Sequence, residues 1–143
     1  MLYKIKKFTK LGRTGFMVSD ISLGFCNNEA VIKAVLDSGV NLIDTAESYR
    51  NQPAVGKALQ GRNRKSVFIT SKLEIKKETG LDKDSFIKRF NTCLTELQTD
   101  YIDCMMVHSP ETVKDLLTPG FHQAMEQMKK EGKLKHVGVS NHG

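Results

Sequence analysis

The chain has 143 residues and a mass of 16.0 kDa, with 22 Lys plus Arg against 16 Asp plus Glu and a formal charge of +6. That length suits one domain and excludes two full ones. Apolar residues at 39% and charged residues at 27% are those of an average soluble globular chain and exclude a disordered one; no apolar run approaches the roughly 18 residues of a membrane helix.

The first segment reads as a hairpin. Tyr3, Ile5 and Phe8 precede the turn Gly12-Arg13-Thr14-Gly15, and Phe16 and Val18 follow it. Ile21-Ser22-Leu23-Gly24-Phe25 reads as a short strand. Asn27 or Asn28 caps a helix through Leu36, which Gly39 stops. Asn41 to Ala46 is the next strand, and a short helix over about Pro53 to Leu59 follows it. Val67-Phe68-Ile69-Thr70-Ser71-Lys72 is β-branched and aromatic, a third strand. From Asp84 to Leu97, residues Phe86, Phe90, Cys93, Leu94 and Leu97 fall on one helical stripe. Tyr101 to His108 is nearly continuous in apolar character, as in a strand buried on both faces. Thr118 and Pro119 open a helix whose buried stripe is Phe121, Ala124, Met125 and Met128, and Gly132 ends it. Met105, Met106, Met125 and Met128 read as core at this spacing rather than as a sulfur-rich ligand site. His136 to Asn141 is a fifth strand.

Strands alternating with helices imply right-handed crossovers and a parallel sheet. No GxGxxG follows the first strand, which disfavours an open dinucleotide-binding sheet. The remaining parallel option is a barrel. A full (β/α)8 barrel takes roughly 250 residues. The expected fold is therefore α/β: an incomplete (β/α)8 TIM barrel, with about five parallel strands and four helices after an N-terminal β-hairpin.

Cys26, Cys93 and Cys104 show no CxxC, no zinc spacing and no disulfide framework. They fit a reducing, cytoplasmic setting. The basic N-terminus (Lys4, Lys6, Lys7, Lys10) leads into no apolar segment of the kind a signal peptide carries. The positive charge has two readings, a solvated basic surface or attraction to an anionic ligand. No nucleic-acid module accompanies it.

In a barrel, function collects at the C-terminal ends of the strands. Asp44 ends one strand, with Tyr49 shortly after; Lys72 and His108 end the next two; Ser140 and Asn141 end the last. Each alone has an ordinary explanation: a helix cap, a solvated lysine, a structural histidine, a turn. As a set on successive strands they converge on one pocket. A tyrosine hydroxyl, with an ordinary pKa of about 10, donates a proton poorly near neutrality. A lysine cation beside it favours the phenolate, an aspartate holds that lysine, and a histidine orients a carbonyl oxygen. Together they protonate a carbonyl oxygen while a hydride arrives at carbon. No metal-ligand cluster competes.

The segment Gly39-Val-Asn-Leu-Ile-Asp44-Thr45-Ala46-Glu-Ser-Tyr49-Arg-Asn51-Gln52-Pro-Ala-Val55-Gly56-Lys-Ala-Leu59 closely resembles the signature of the aldo-keto reductases. Further matches are Leu11-Gly-Arg-Thr-Gly15, Val67-Phe-Ile-Thr-Ser-Lys72, Leu97-Gln-Thr-Asp-Tyr-Ile-Asp103, Val107-His108-Ser-Pro110 and Val137-Gly-Val-Ser-Asn141. The resemblance covers essentially the whole chain. It implies that Tyr49 is the general acid, with Lys72 and Asp44 as its tuning pair and His108 as the carbonyl-orienting residue. It further implies that Ser140, Asn141 and Asp44 contact the cofactor, NADP(H) or alternatively NAD(H). The implied partner is a small-molecule carbonyl substrate, with no metal, nucleic acid or membrane. The ending Ser140-Asn141-His142-Gly143 also resembles a bacterial subgroup whose full-length members often carry an iron–sulfur tail.

The resemblance further implies that residues 1–143 are the N-terminal portion of one barrel domain. Later strands of the family supply the stacking tyrosine and the phosphate-gripping residues. The chain alone is therefore expected to bind NADPH weakly, to reduce carbonyls poorly and to self-associate through open sheet edges. The alternative is a non-catalytic half-barrel, a fragment or a binding or regulatory subunit.

Overall fold

The computed structural model describes residues 4–142; Tyr3, expected in the hairpin, and Gly143 lie outside them. The chain opens with β1 (Phe8–Lys10) and β2 (Met17–Ser19), an antiparallel hairpin pairing Thr9 with Val18. Gly15, at φ 79°, supplies the left-handed residue that reverses it. The hairpin docks on the open face of the main sheet by aromatic contact. Phe16 stacks on Phe68 with ring centroids 4.5 Å apart and meets His136 edge-on at 5.1 Å.

The main sheet is parallel, in the order β3 (Leu42–Asp44), β4 (Phe68–Glu74), β5 (Ile102–His108), β6 (Leu134–Ser140). The helices between are α1 (Glu29–Asp37), α2 (Gln52–Leu59), α3 (Lys83–Leu97), α4 (Val113–Leu116) and α5 (Pro119–Lys130). This is the expected incomplete barrel, with one reduction. The strand expected at residues 21–25 survives only as a parallel bridge from Leu23 to Ile43. Leu23 N donates to Leu42 O at 2.9 Å, and Asp44 N donates to Leu23 O at 2.8 Å. Ile21 and Phe25, on either side, are 58% and 62% exposed, so neither gains burial by extending the ladder.

Helix starts follow local chemistry. Asn28 Oδ1 accepts from Val31 N at 3.2 Å, and Asp82 Oδ1 accepts from Ser85 N at 3.0 Å. Thr118 precedes Pro119 as expected, but its hydroxyl donates backwards to Lys114 O at 3.4 Å and caps nothing in α5. Lys114 belongs to α4, a single turn with a capping box between Thr112 and Asp115.

One core joins the helices to the sheet. Ile43, Ile69, Leu73, Met105 and Val107 meet Phe86, Phe90, Leu97, Phe121 and Met125, all buried. Each such side chain contributes about 1.5–3 kcal/mol. Because side chains alternate along a strand, the residues between them, Thr70, Lys72, Met106 and His108, face the other side of the sheet. That side is the concave one. Among the described residues, no helix is long and apolar enough to cross a membrane.

Candidate active site

The strands deliver their C-terminal ends to one place. Lys72 lies beside Met106 in the β4–β5 register, Glu74 beside His108, and His108 beside Ser140. β4 runs two residues past its expected end, so Lys72 sits inside the strand on the concave face and Glu74 is the terminal residue.

Lys72 is 3% exposed, and a buried ammonium needs partners. It has three. Nζ donates to Asp44 Oδ2 at 2.6 Å, to Thr45 O at 2.9 Å and to the Tyr49 hydroxyl at 3.4 Å. All three ammonium protons are thus directed, and the phenol oxygen receives one of them. Tyr49 is carried by the 3₁₀ turn Glu47–Tyr49, which follows β3 directly. Arg50 ends that turn at φ 54° and Ser109 follows His108 at φ 48°, both left-handed non-glycine residues beside site groups.

His108 is buried, and its ring stands edge-on to Tyr49, centroids 5.5 Å apart at 81°. Its Nδ1 lies 3.4 Å from Ser48 Oγ. Burial, reinforced by the Lys72 cation, holds the imidazole below its ordinary pKa, toward the neutral form. The exposed ring of Phe25 also packs edge-on to Tyr49, at 5.9 Å. The Tyr49 ring thus meets the His108 imidazole and the Phe25 ring edge-on, and its hydroxyl meets the Lys72 ammonium.

Asp44, Tyr49, Lys72 and His108 are brought together. Ser140 arrives at the same end by register, and Asn141 follows it, exposed, its Oδ1 accepting from His142 N at 2.9 Å. The donor set has a clear chemical character. Its one buried cation is engaged by Asp44, Thr45 and Tyr49, while Ser140 and Asn141 offer a hydroxyl and an amide. Such neutral groups suit an amide, and so fit the nicotinamide end of a dinucleotide rather than its phosphates. Among the described residues, no group of three or more His, Cys, Asp or Glu is arranged to hold a metal.

Sequence reasoning assigned no role to the groups that brace this cluster. Asn51, 1% exposed, accepts from Thr45 Oγ1 at 2.6 Å and donates to Cys26 O at 3.0 Å, tying the end of β3 to the loop after Leu23. Gln52, fully buried, accepts from Ser71 Oγ at 2.9 Å and donates to Glu96 on α3 at 2.9 Å. Both are buried polar groups whose partners come from other elements, so no local pattern in the sequence marks them.

A model of the Aldo/keto reductase family matches residues 25–143. Methylglyoxal reductase DkgB of Escherichia coli O157:H7 is 37% identical over 112 residues, covering 77% of this chain and 41% of that protein. The NADPH-dependent alpha-keto amide reductase of Saccharomyces cerevisiae is 36% identical over 118 residues, covering 79% of this chain and 37% of that protein. Among solved structures, an aldo/keto reductase from Brucella melitensis superposes with a TM-score of 0.77 at 35% identity, covering 96% of this chain and 54% of that one. The chain thus spans less than half the length of these curated relatives and about half of the solved structure.

Proposed function

Because this chain belongs to the aldo/keto reductase family, we propose that its clustered Asp44, Tyr49, Lys72 and His108 form the proton-donating half of a carbonyl reductase site. The observation that carries the reading is the Lys72 ammonium, held by Asp44 and Thr45 and directed at the phenol oxygen of Tyr49.

With the phenol oxygen accepting from Lys72, the phenol proton is left to donate to a substrate oxygen. As that proton leaves, negative charge builds on the phenol oxygen, 3.4 Å from a buried cation whose position is already set. Asp44 keeps the ammonium compensated, so the cluster bears charge without an unpaired buried ion. If Ser48 Oγ, 3.4 Å from Nδ1, donates to it, the His108 proton sits on Nε2 and gives the substrate oxygen a second donor. The lowered basicity of His108 keeps it neutral near pH 7, so it orients the carbonyl without adding a positive charge beside Lys72. Phe25 supplies an apolar wall for the carbon side of the carbonyl.

The cofactor is NADPH, whose nicotinamide end Ser140, Asn141 and Asp44 would hold and which would supply the hydride to the carbonyl carbon. The yeast relative's NADPH dependence supports this choice. The substrate is a small carbonyl activated by a second carbonyl group, a feature that the names of two relatives share. The chain is the N-terminal portion of a barrel whose remaining units grip the cofactor phosphates, and by itself it turns over slowly. Its three free thiols, Cys26, Cys93 and Cys104, support a reducing, cytoplasmic setting.

Lys72→Met tests the carrying observation. In a barrel completed with the C-terminal part of the Escherichia coli relative, this substitution is expected to lower the rate of NADPH oxidation with methylglyoxal by about 10²-fold or more. A Lys72→Met rate within about threefold of the parent's, far short of that loss, refutes the assignment.

A further inference from the structure

The turn that carries Tyr49 is fastened at its first residue by a side chain from the outer helical layer. Arg89, on α3, forks onto the Glu47 carboxylate: Nε donates to Oε2 at 3.0 Å and Nη2 to Oε1. The same Nη2 donates to the Glu74 carbonyl at 2.8 Å, and Nη1 donates to Thr79 Oγ1 at 3.0 Å. Glu47 Oε1 also accepts from Glu74 N at 2.9 Å. Both backbone polar groups of Glu74 are therefore captured by one ion pair. Glu74 ends β4 two residues beyond Lys72, and Glu47 stands two residues before Tyr49.

An exposed ion pair has freedom to make and break. This one has little: the Arg89 side chain is 13% exposed and that of Glu47 23%. The guanidinium also lies over the Phe86 ring, 5.2 Å from its centroid. A planar fork with five donors is what allows one residue to reach the carboxylate, the strand end and Thr79 together; an ammonium cannot reproduce it. The turn needs such a restraint. It is one 3₁₀ turn, closed by Tyr49 N to Ala46 O at 3.2 Å and Arg50 N to Glu47 O at 3.4 Å, and it ends on a left-handed arginine.

We propose that Arg89 and Glu47 are positioning residues for Tyr49: their ion pair fastens the Tyr49 turn to the end of β4 and so fixes the phenol oxygen against the Lys72 ammonium. This rests on the reading of Tyr49 as proton donor. The pair sets the register between two elements, β4 and the turn, that bring the ammonium and the phenol from different parts of the chain.

The test separates this placement from turnover. Ring-to-ring nuclear Overhauser contacts are recorded on the full chain, with Tyr49–His108 as the site probe and Phe86–Phe121, centroids 5.5 Å apart between α3 and α5, as the fold probe. Arg89→Gln is expected to abolish or strongly weaken the Tyr49–His108 contact while the Phe86–Phe121 contact remains. Arg89→Lys, which keeps the cation and loses the fork, is expected to weaken it in the same way; should Arg89→Gln fail to fold, this variant decides. Retention of the Tyr49–His108 contact at full strength overturns the proposal. So does its loss together with the Phe86–Phe121 contact in the deciding variant, which makes the pair a general brace of the fold. In a completed barrel, Arg89→Lys should lower kcat by up to about 10²-fold, as small misplacements do, with KM little changed. If Tyr49→Phe leaves the rate intact, the proton-donor reading fails, whereas the Overhauser contacts judge the positioning claim by themselves.

Discussion

Gly56 lies in α2 where that helix crosses α3, and replacing it with alanine measures how tightly the layer behind the site is packed. A methyl group built there falls 2.4 Å from Glu96 O, 2.8 Å from Leu97 C and 3.0 Å from Leu97 O. All three are backbone atoms, so no side-chain rotation relieves the contact. Ordinary contact begins at 3.4 Å, and the two helices must separate by about 1 Å. Alanine in a helix interior gains about 1 kcal/mol over glycine. Overpacking costs about 1–3 kcal/mol, and rigid backbone neighbours put this site at the upper end. The net expectation is a loss of about 2 kcal/mol, or about 6 °C in midpoint for a chain of this size. The Gln52–Glu96 bond at 2.9 Å spans the same interface and lengthens with it. Thermal and urea unfolding followed by circular dichroism give the value. Gly24→Ala is the control: nothing lies within 4 Å of its added methyl, and its effect should stay within about 0.5 kcal/mol. A Gly56→Ala chain as stable as the parent refutes the close crossing of α2 and α3.

His108 binds its proton less readily folded than unfolded, so the unfolded chain takes up more protons as pH falls below about 6.5. Stability should therefore fall from about pH 6.5 downward until the folded chain also protonates. Urea midpoints measured across that range should show a shallower slope in His108→Gln, and equal slopes contradict the assignment. β6 is the last strand of the sheet, and Val139 on it is 54% exposed. An unpaired parallel edge of this kind recruits another strand, so the sedimentation coefficient should rise with concentration; a constant monomer value contradicts this.

Asp44, Tyr49, Lys72 and His108 were legible as a cluster because they lie toward the C-terminal ends of the strands, where barrel topology forces convergence. Asp44, Lys72 and His108 each close an apolar strand pattern, and Tyr49 follows within one turn. The apolar stripe of Phe86, Phe90, Cys93, Leu94 and Leu97 was legible for a similar reason, since period and burial coincide there. What holds the site in place was not legible. Glu47 and Arg89 stand 42 positions apart, and Gln52 and Glu96 stand 44 apart. A charged residue on a helix reads as solvated until the fold shows what lies beside it. The strand at residues 21–25 failed for a different reason. Its composition suits a strand, but it borders only β3, and of Ile21, Leu23 and Phe25 only Leu23 finds cover.

In the proposed reaction the Tyr49 hydroxyl gives its proton to a carbonyl oxygen while Lys72 stabilises the charge left behind. Tyr49→Phe removes that one oxygen and keeps the ring that packs against Phe25 and His108. In the completed barrel, NADPH oxidation with methylglyoxal should fall by about 10²–10⁴-fold in this variant while the Phe86–Phe121 contact persists. A Tyr49→Phe protein that reduces methylglyoxal at the parent rate contradicts the account.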